Sequence, residues 1–252
     1  MFQVKERKVA IVTGSTGGGA GRSIALALAR EGFSIVINNR EDEEAASEAA
    51  RVVREYGAEA LIVHADITRP EQVEALVQEA VREFGRIDVF VINPGGEWKP
   101  CDLIETDIES VRKTLDAETT SVLICCKYVL PVMRKQRSGR VILISMENTD
   151  LPNVPSWAPY DYILGKSTRI YLARAIADRE KEYGITVNAI CPTAFPHISE
   201  EDAVEMNRHL KAWTTRKKIM PQDIAEATAY FTSEAGRFVT GSVLQLREVK
   251  QA

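Results

Sequence analysis

The amino-acid sequence predicts an α/β protein with a doubly wound, seven-stranded parallel sheet and helices on both of its faces. Short runs rich in Val, Ile and Leu alternate along the chain with stretches of helical spacing. The runs are continuously apolar, which is typical of parallel strands buried on both faces, and their alternation with helices is typical of doubly wound sheets. The seven predicted strands are Val9–Val12, Ile35–Ile37, Leu61–Val63, Val89–Ile92, Val141–Ile144, Val187–Ile190 and Val243–Leu246.

Six helices are predicted between these strands. Proline stands at the first position of two of them, and glycine follows the end of four. These are the positions that the two residues favour at helix ends. The predicted helices are Arg22–Glu31, Glu43–Tyr56, Pro70–Phe84, Ile108–Gln136, Tyr160–Tyr183 and Pro221–Ser233.

Length and composition predict one globular domain over residues 1–252. The formal net charge of -4 gives no sign of a basic face for nucleic acid, and no apolar run is long enough to cross a bilayer. The charged N-terminal segment lacks the apolar stretch of a secretory signal, so we expect a cytoplasmic protein. The histidines and cysteines have no spacing typical of a metal site, and no bound metal is expected.

One long segment, Pro196–Met220, has no predicted strand partner. We expect it to lie over the carboxyl ends of the strands, where open α/β sheets bind ligands, and it is the candidate substrate lid. Three aromatic residues that follow strand ends are candidates to line a substrate pocket or, equally, to pack in the core: Trp98, Trp157 and Phe195.

A glycine-rich turn, Thr13–Gly21, directly follows the first strand and precedes a helix. Glycines permit positive φ in a tight turn and let backbone N–H groups and a helix N-terminus approach a pyrophosphate. The alternative is a flexible connection without a ligand. The predicted phosphate-binding residues of this turn are Gly14, Ser15, Gly19 and Gly21.

Further motifs make the chain resemble the short-chain dehydrogenase/reductase family, in particular members of the 3-oxoacyl-carrier-protein reductase type. The family's glycine motif is Thr-Gly-x3-Gly-x-Gly, and this chain carries it with one extra residue. The resemblance implies a single-domain Rossmann fold that binds a nicotinamide nucleotide. The other matching segments, in order, are Gly85–Val89, Val129–Pro131, Gly139–Val141, Tyr162-x3-Lys166, Val187–Ala189, Pro221–Ala225 and Val239–Gly241.

The end of the second predicted strand favours NADP over NAD. A carboxylate would stand there in a protein that binds the ribose hydroxyls of NAD, whereas this chain has Asn39 and Arg40, and Arg40 can pair with a 2′-phosphate. The alternative is that Arg40 only neutralises the acidic residues 41–43. The resemblance implies further nucleotide contacts at Asp66, Ile67, Asn93, Gly95 and Lys166, although Asp66 is about as well explained by a turn before Pro70.

The chemical residues are predicted to be Tyr162 and Lys166, which stand four apart on one face of a helix. A nearby ammonium group lowers the pKa of a tyrosine, so that the phenol can exchange a proton with an alcohol or carbonyl oxygen. The resemblance implies that Lys166 also binds the nicotinamide ribose.

The remaining chemical positions depart from the family pattern. Where the family has a serine that binds the substrate oxygen, the aligned residues here are Ser145 and Met146. Ser145 is taken as the candidate, with Thr149 as an alternative hydroxyl. Glu118 aligns with the family's asparagine, and it either relays protons or is a solvated helix charge.

The leading hypothesis is an NADP-dependent oxidoreductase that acts on a small-molecule carbonyl or secondary alcohol. The first alternative is a nucleotide-binding sensor or scaffold without hydride transfer. The second is a cofactor-free lyase or dehalogenase of the same superfamily, which Lys166 and the glycine turn disfavour. The resemblance also implies a homotetramer or homodimer built on Ile108–Gln136 and Tyr160–Tyr183.

Overall fold

The computed structural model describes residues 7–147, 149, 158–210 and 218–248. Its strands are β1 (Val9–Val12), β2 (Ser34–Asn39), β3 (Ala60–His64), β4 (Val89–Ile92), β5 (Gly139–Ile144), β6 (Ile185–Pro192) and β7 (Val243–Leu246). Its α-helices are α1 (Ala20–Arg30), α2 (Glu43–Glu55), α3 (Pro70–Phe84), α4 (Ile108–Leu115), α5 (Ser121–Gln136), α6 (Tyr160–Glu180), α7 (Glu200–Arg208) and α8 (Pro221–Thr232). All seven predicted strands are confirmed.

The strands form one parallel sheet in the order β3-β2-β1-β4-β5-β6-β7. The order reverses beside β1, so the crevice between the carboxyl ends of β1 and β4 is the point at which doubly wound sheets bind ligands. The predicted fold class is therefore confirmed, and the topology places the ligand site at this edge.

Two buried apolar clusters lie on opposite faces of the sheet. Val9 and Ile11 of β1 pack with residues of α3, α5 and α6, whereas Ala10 and Val12 pack with residues of α1, α2 and α8. Successive side chains of a strand point to opposite faces. A strand that is apolar at every position is therefore buried on both sides, as the continuous apolar runs predicted.

The predicted helix Ile108–Gln136 is helical over its whole length, but it is not a uniform α-helix. It consists of α4, a π-helical turn at Asp116–Thr120, and α5. A π turn holds one more residue than an α turn and commonly occurs at functional sites. Here it turns the side chain of Glu118 into the protein interior, where it is fully buried.

Part of the candidate lid packs as a helix. Within Pro196–Met220, α7 begins after Ser199, whose side chain accepts a hydrogen bond from the N–H of Asp202 at 3.1 Å. Ala203 of α7 is buried in the same apolar cluster as residues of α1, and Met206 of α7 is also buried. Helix α7 therefore stabilises one face of the sheet, and residues 211–217 of the predicted lid lie outside the described residues.

No helix in the described part of the chain is both long enough and apolar enough to span a membrane.

Candidate active site

The glycine turn between β1 and α1 has a shape that side chains would prevent. Gly14 has a φ of +60°, and a Cβ there would lie 2.8 Å from Cγ of Pro94. A Cβ on Gly21 would lie 2.1 Å from the carbonyl oxygen of Gly14 and 2.8 Å from the side-chain nitrogen of Asn93. Contacts below 3.0 Å to backbone atoms cannot be relieved by a rotamer change. The turn therefore depends on glycine at both positions.

Polar side chains tie this turn to the neighbouring strands. The N–H of Ser15 donates to the carbonyl of Asn38 at 2.9 Å, and the hydroxyl of Ser15 accepts from the N–H of Asn38 at 3.0 Å. The side-chain amide of Asn93 donates to the carbonyl of Thr13 at 3.2 Å. Ser15 and Asn93 thus hold the backbone of the turn against β2 and β4.

The geometry of the turn fits the pyrophosphate of a dinucleotide. Helix α1 begins after Gly19, and no side chain caps its first N–H groups, which are groups that bind anions at helix N-termini. A Cβ on Gly17 would meet no atom within 4 Å, so space lies open beside the turn. The start of the predicted lid lies on its other side, where the N–H of Ile198 donates to the carbonyl of Gly18 at 2.9 Å.

Asn39 and Arg40, at the end of β2, have different surroundings. The side-chain oxygen of Asn39 is 2.6 Å from Nδ1 of His64, and its amide donates to the carbonyl of Asp42. Arg40 is exposed, and within the described residues no ion pair joins it to residues 41–43. Asp42 instead caps α2, and Glu43 lies 2.7 Å from Nε2 of His64.

Asp66 fixes the turn that precedes α3. One of its carboxylate oxygens accepts from the N–H of Thr68 at 2.9 Å and from the hydroxyl of Thr68 at 2.7 Å. Ile67 is buried between them in the core. The turn interpretation of Asp66 is thus present in the structure, and its contact with a nucleotide stays a prediction.

The predicted chemical pair lies one helical turn apart at the start of α6. Nζ of Lys166 is 5.1 Å from the centre of the Tyr162 ring. The ring of Trp98 meets the ring of Tyr162 edge-on at a centroid distance of 5.0 Å. Lys166 is buried, and burial lowers its pKa to about 8. The lining of a substrate pocket by Trp98 stays a prediction, and Trp157 falls outside the described residues.

Glu118 is a site residue and not a solvated helix charge. Its carboxylate lies 3.1 Å from Nζ of Lys166 and 2.9 Å from Nε of Arg169, and it accepts from the N–H of Gly96 at 2.9 Å. Two glycines make room for it: a Cβ on Gly95 would lie 2.0 Å from the carboxylate, and a Cβ on Gly165 would lie 2.4 Å from Cβ of Glu118. Gly95 therefore serves the packing of this carboxylate.

Arg169 was not among the predicted site residues. It lies three positions after Lys166 on α6 and is fully buried. That spacing puts both cations on one helix face, which is the signal in the sequence that could have identified it.

Tyr162 does not have the lowered pKa that its proximity to Lys166 predicts. Burial raises the pKa of Tyr162 to about 12, and the negative charge of Glu118 raises it further than Arg169 lowers it. The ammonium group of Lys166 is held in an ion pair with Glu118. Tyr162 consequently carries its proton at neutral pH.

Both candidate helper hydroxyls donate to backbone carbonyls. The hydroxyl of Ser145 is buried and donates to the carbonyl of Lys166 at 2.7 Å. The hydroxyl of Thr149 donates to the carbonyl of Met146 at 2.8 Å. In this arrangement Ser145 attaches β5 to the helix that carries the chemical pair, and its catalytic role stays a prediction.

Among the described residues, no group of three or more His, Cys, Asp and Glu side chains could hold a metal ion. The fold and the site together define a doubly wound α/β protein with a glycine-rich turn and a Tyr–Lys pair at the carboxyl edge of its sheet.

Comparisons with known proteins identify the family. A family model described as enoyl-(acyl carrier protein) reductase matches residues 15–246. The chain belongs to the short-chain dehydrogenase/reductase family, an oxidoreductase family whose members generally use NAD or NADP.

Relatives match the chain over nearly its whole length. It is 32% identical to 3beta-hydroxysteroid dehydrogenase 1 of Eggerthella lenta, with 97% of this chain and 94% of the relative covered. It is 29% identical to glucose 1-dehydrogenase 2 of Bacillus subtilis, with 97% and 95% covered. Acetoin dehydrogenase YohF from Salmonella typhimurium has a similar structure, with a TM-score of 0.82, 27% identity, and 95% and 94% of the chains covered.

Proposed function

We propose that the protein is an NADP-dependent oxidoreductase that reduces the carbonyl group of a small molecule or oxidises the matching secondary alcohol. The observation that carries this proposal is the Tyr162–Lys166 pair beside a glycine turn that fits a pyrophosphate. The relatives support it, because their names describe dehydrogenases that act on a sugar and on a steroid. The two named relatives carry out the same type of reaction on different substrates, so the proposal names the reaction class and no particular substrate.

A nicotinamide nucleotide held by the glycine turn would supply or accept the hydride. Tyr162 transfers the proton at the substrate oxygen, and with its pKa raised to about 12 it is a general acid at neutral pH. Tyr162 can therefore protonate the substrate oxygen during carbonyl reduction near neutrality. Lys166 lies under the phenol ring and Trp98 against its edge, so the ring is held in place and partly shielded from water.

This proposal is tested by mixing the protein with NADPH that carries deuterium at both hydrogen positions of nicotinamide C4 and a panel of ketones and aldehydes. We expect mass spectrometry to find one deuterium at the carbinol carbon of a product. The same incubation with Lys166→Met is the control for non-enzymatic reduction. Product without deuterium at that carbon would contradict hydride transfer from the nucleotide.

A sensor or scaffold that binds the nucleotide without hydride transfer is the second candidate. Met146 at the position of the family's serine favours it, as does the hydroxyl of Ser145, which donates to the backbone of α6. The two functions differ in the deuterium experiment. NADPH would protect a sensor from thermal unfolding, but a sensor would transfer no deuterium. The cofactor-free alternative predicts neither effect.

The preference for NADP is assigned to Arg40. Its side chain is exposed at the end of β2, and two of the three acidic residues that follow have other partners, since Asp42 caps α2 and Glu43 contacts His64. A guanidinium group can pair with both oxygens of a 2′-phosphate. This arrangement supports a phosphate-binding role over the neutralisation of residues 41–43.

We expect Arg40→Asp to weaken NADPH binding by about 30-fold and to reverse the preference between NADPH and NADH. A charge-assisted bidentate pair contributes about 2 kcal/mol, and the new carboxylate repels the 2′-phosphate while it can accept from ribose hydroxyls. Fluorescence titration with both nucleotides measures the two Kd values.

Arg82→Asp is the matched control, because Arg82 is exposed in the last turn of α3 and undergoes the same change of charge. It should leave the ratio of the two Kd values unchanged. An equal change in both variants would show that Arg40 acts only through net charge.

The outer faces of α5 and α6 are proposed as the contact with a second copy in a homodimer or homotetramer. The two helices pack side by side, and they expose the large apolar side chains of Leu123, Leu164 and Tyr171, the last with 71% of its surface accessible. Neighbouring exposed apolar groups of this size mark protein interfaces.

We also propose that the protein is cytoplasmic and binds neither nucleic acid nor a membrane.

We expect Tyr171→Asp to convert the oligomer to a smaller species, since a buried, unpaired carboxylate is costly at an interface. Sedimentation velocity measures the change in mass. Ile104→Asp, at a residue that is 91% exposed in the loop before α4, is the control and should keep the wild-type mass. A monomeric wild-type protein would contradict the proposed assembly.

A further inference from the structure

Arg169 joins three segments at the carboxyl edge of the sheet. Its guanidinium group donates to the carbonyl of Ile144 at 2.8 Å, at the end of β5, and to the carbonyl of Ile92 at 3.3 Å, at the end of β4. It also donates to the carbonyls of Ala117 at 3.2 Å and Glu118 at 2.9 Å in the π turn. Arg169 therefore holds the turn that carries Glu118 against both strand ends.

The carboxylate of Glu118 lies between two buried cations. Lys166 and Arg169 approach it from α6 at 3.1 Å and 2.9 Å, and all three side chains are excluded from solvent. The negative charge of Glu118 and the positive charge of Arg169 offset one another, so the cluster has the formal charge of a lysine beside an uncharged residue. Removing Glu118 alone would leave two buried cations without a counter-charge, whereas removing Arg169 alone would leave Glu118 paired with Lys166.

We propose that Glu118 and Arg169 are a charge-compensated pair of positioning residues, which fixes the ammonium group of Lys166 beside the ring of Tyr162. Glu118 acts through Lys166 and through its field at the phenol, and Arg169 through the geometry of the π turn. The role of Tyr162 as the proton donor to substrate rests on the proposed function. The placement of the charges rests on the contacts alone.

Other groups face Tyr162, Lys166 and Arg169 from the elements packed around them. Tyr162 is faced by Lys166 and Arg169 from α6, by Glu118 from the π turn and by the uncharged ring of Trp98. Thiols face the cluster as well, from Cys125 of α5 toward Arg169 and from Cys191 of β6 toward Lys166. Burial raises the pKa of the Cys125 thiol, so it stays neutral and does not compete for the cations.

The signs of the two charges at Tyr162 are opposite. Glu118 raises the pKa of the phenol, and Arg169 lowers it by less. Removing Glu118 alone should therefore lower the pKa of Tyr162, and removing Arg169 alone should raise it. Removing both should give a value between that of Glu118→Gln and that of the wild type.

The test is a pH titration of phenolate absorbance, with the Tyr162→Phe form of each variant subtracted to isolate this one tyrosine. We expect Glu118→Gln to show Tyr162 phenolate at least about one pH unit below the wild type. Glu118→Asp keeps the charge and should titrate close to the wild type. An unchanged midpoint in Glu118→Gln would overturn the proposal.

Glu180→Gln is the matched control, because it removes a buried carboxylate that lies on α6 away from Tyr162. Glu180 is also buried, and it pairs with Arg134 near the other end of that helix. We expect the phenolate of Tyr162 to titrate there as in the wild type. A shift equal to that of Glu118→Gln would assign the effect to general loosening of α6 and would also overturn the proposal.

A second readout covers a variant that fails to fold. Unfolding by urea is compared among Glu118→Gln, Arg169→Met and the double variant. Compensation predicts that the double variant is more stable than Glu118→Gln, which leaves two buried cations without a carboxylate. Effects of the two substitutions that simply add would contradict a linked pair.

These measurements need neither nucleotide nor turnover. Loss of the expected phenolate shift would overturn the role of Glu118 while deuterium transfer continued. Absence of deuterium transfer beside an intact shift would instead overturn the proposed function.

Discussion

Tyr162→Phe is expected to lower the rate of hydride transfer by about 1,000-fold and to leave NADPH affinity nearly unchanged. The substitution removes only the hydroxyl, so the ring keeps its contacts with Trp98 and Lys166. A positioned general acid contributes roughly 100- to 10,000-fold to a rate. Single-turnover oxidation of bound NADPH by a substrate found in the ketone panel measures the rate.

Tyr160→Phe is the control for this experiment. Tyr160 begins the same helix two residues earlier and is exposed, so loss of its hydroxyl should not alter the rate. A Tyr162→Phe protein that reduced the carbonyl at the wild-type rate would remove Tyr162 from the mechanism.

Gly21→Ala is expected to destabilise the fold by about 3 kcal/mol and to abolish nucleotide binding. Its Cβ would lie 2.1 Å from the carbonyl oxygen of Gly14, which belongs to backbone and cannot rotate away. Overpacking of this kind costs about 1 to 3 kcal/mol and shifts the backbone. Urea unfolding measures the stability, and fluorescence titration measures the binding.

Gly17→Ala, in the same turn, is the matched control for stability. A Cβ there would meet no atom within 4 Å, so the free energy of unfolding should change by less than about 0.5 kcal/mol. Equal destabilisation by the two substitutions would mean that the turn responds to any methyl group and not to the close approach of Gly21 to Gly14.

The sheet could be predicted from the sequence because its strands are buried on both faces. A strand such as Val89–Ile92 is apolar at every position, and its observed bounds are those predicted. Helix α7 was not predicted, because its nine residues bury few apolar groups, although Ser199 and the three acidic residues after it are a helix-start signal. The π turn between α4 and α5 was also not predicted, since helical spacing continues through Asp116–Thr120.

The chemical pair could be predicted because Tyr162 and Lys166 are close in the sequence and lie on one helix face. The ion pair between Glu118 and Arg169 joins residues about fifty positions apart, and spacing along the chain contains no information about such a contact. The lowered pKa of Lys166 and the raised pKa of Tyr162 arise from this tertiary arrangement. The sequence shows which groups are present but not which of them is buried against another.

The most direct test of the central claim is a fluorescence titration of the purified wild-type protein with NADPH and with NADH. The account predicts saturable binding of both nucleotides, with NADPH at least about tenfold tighter, because the glycine turn fits the shared pyrophosphate and Arg40 adds a contact to the 2′-phosphate alone. Binding of neither nucleotide would contradict the oxidoreductase function and would favour a cofactor-free role for the site.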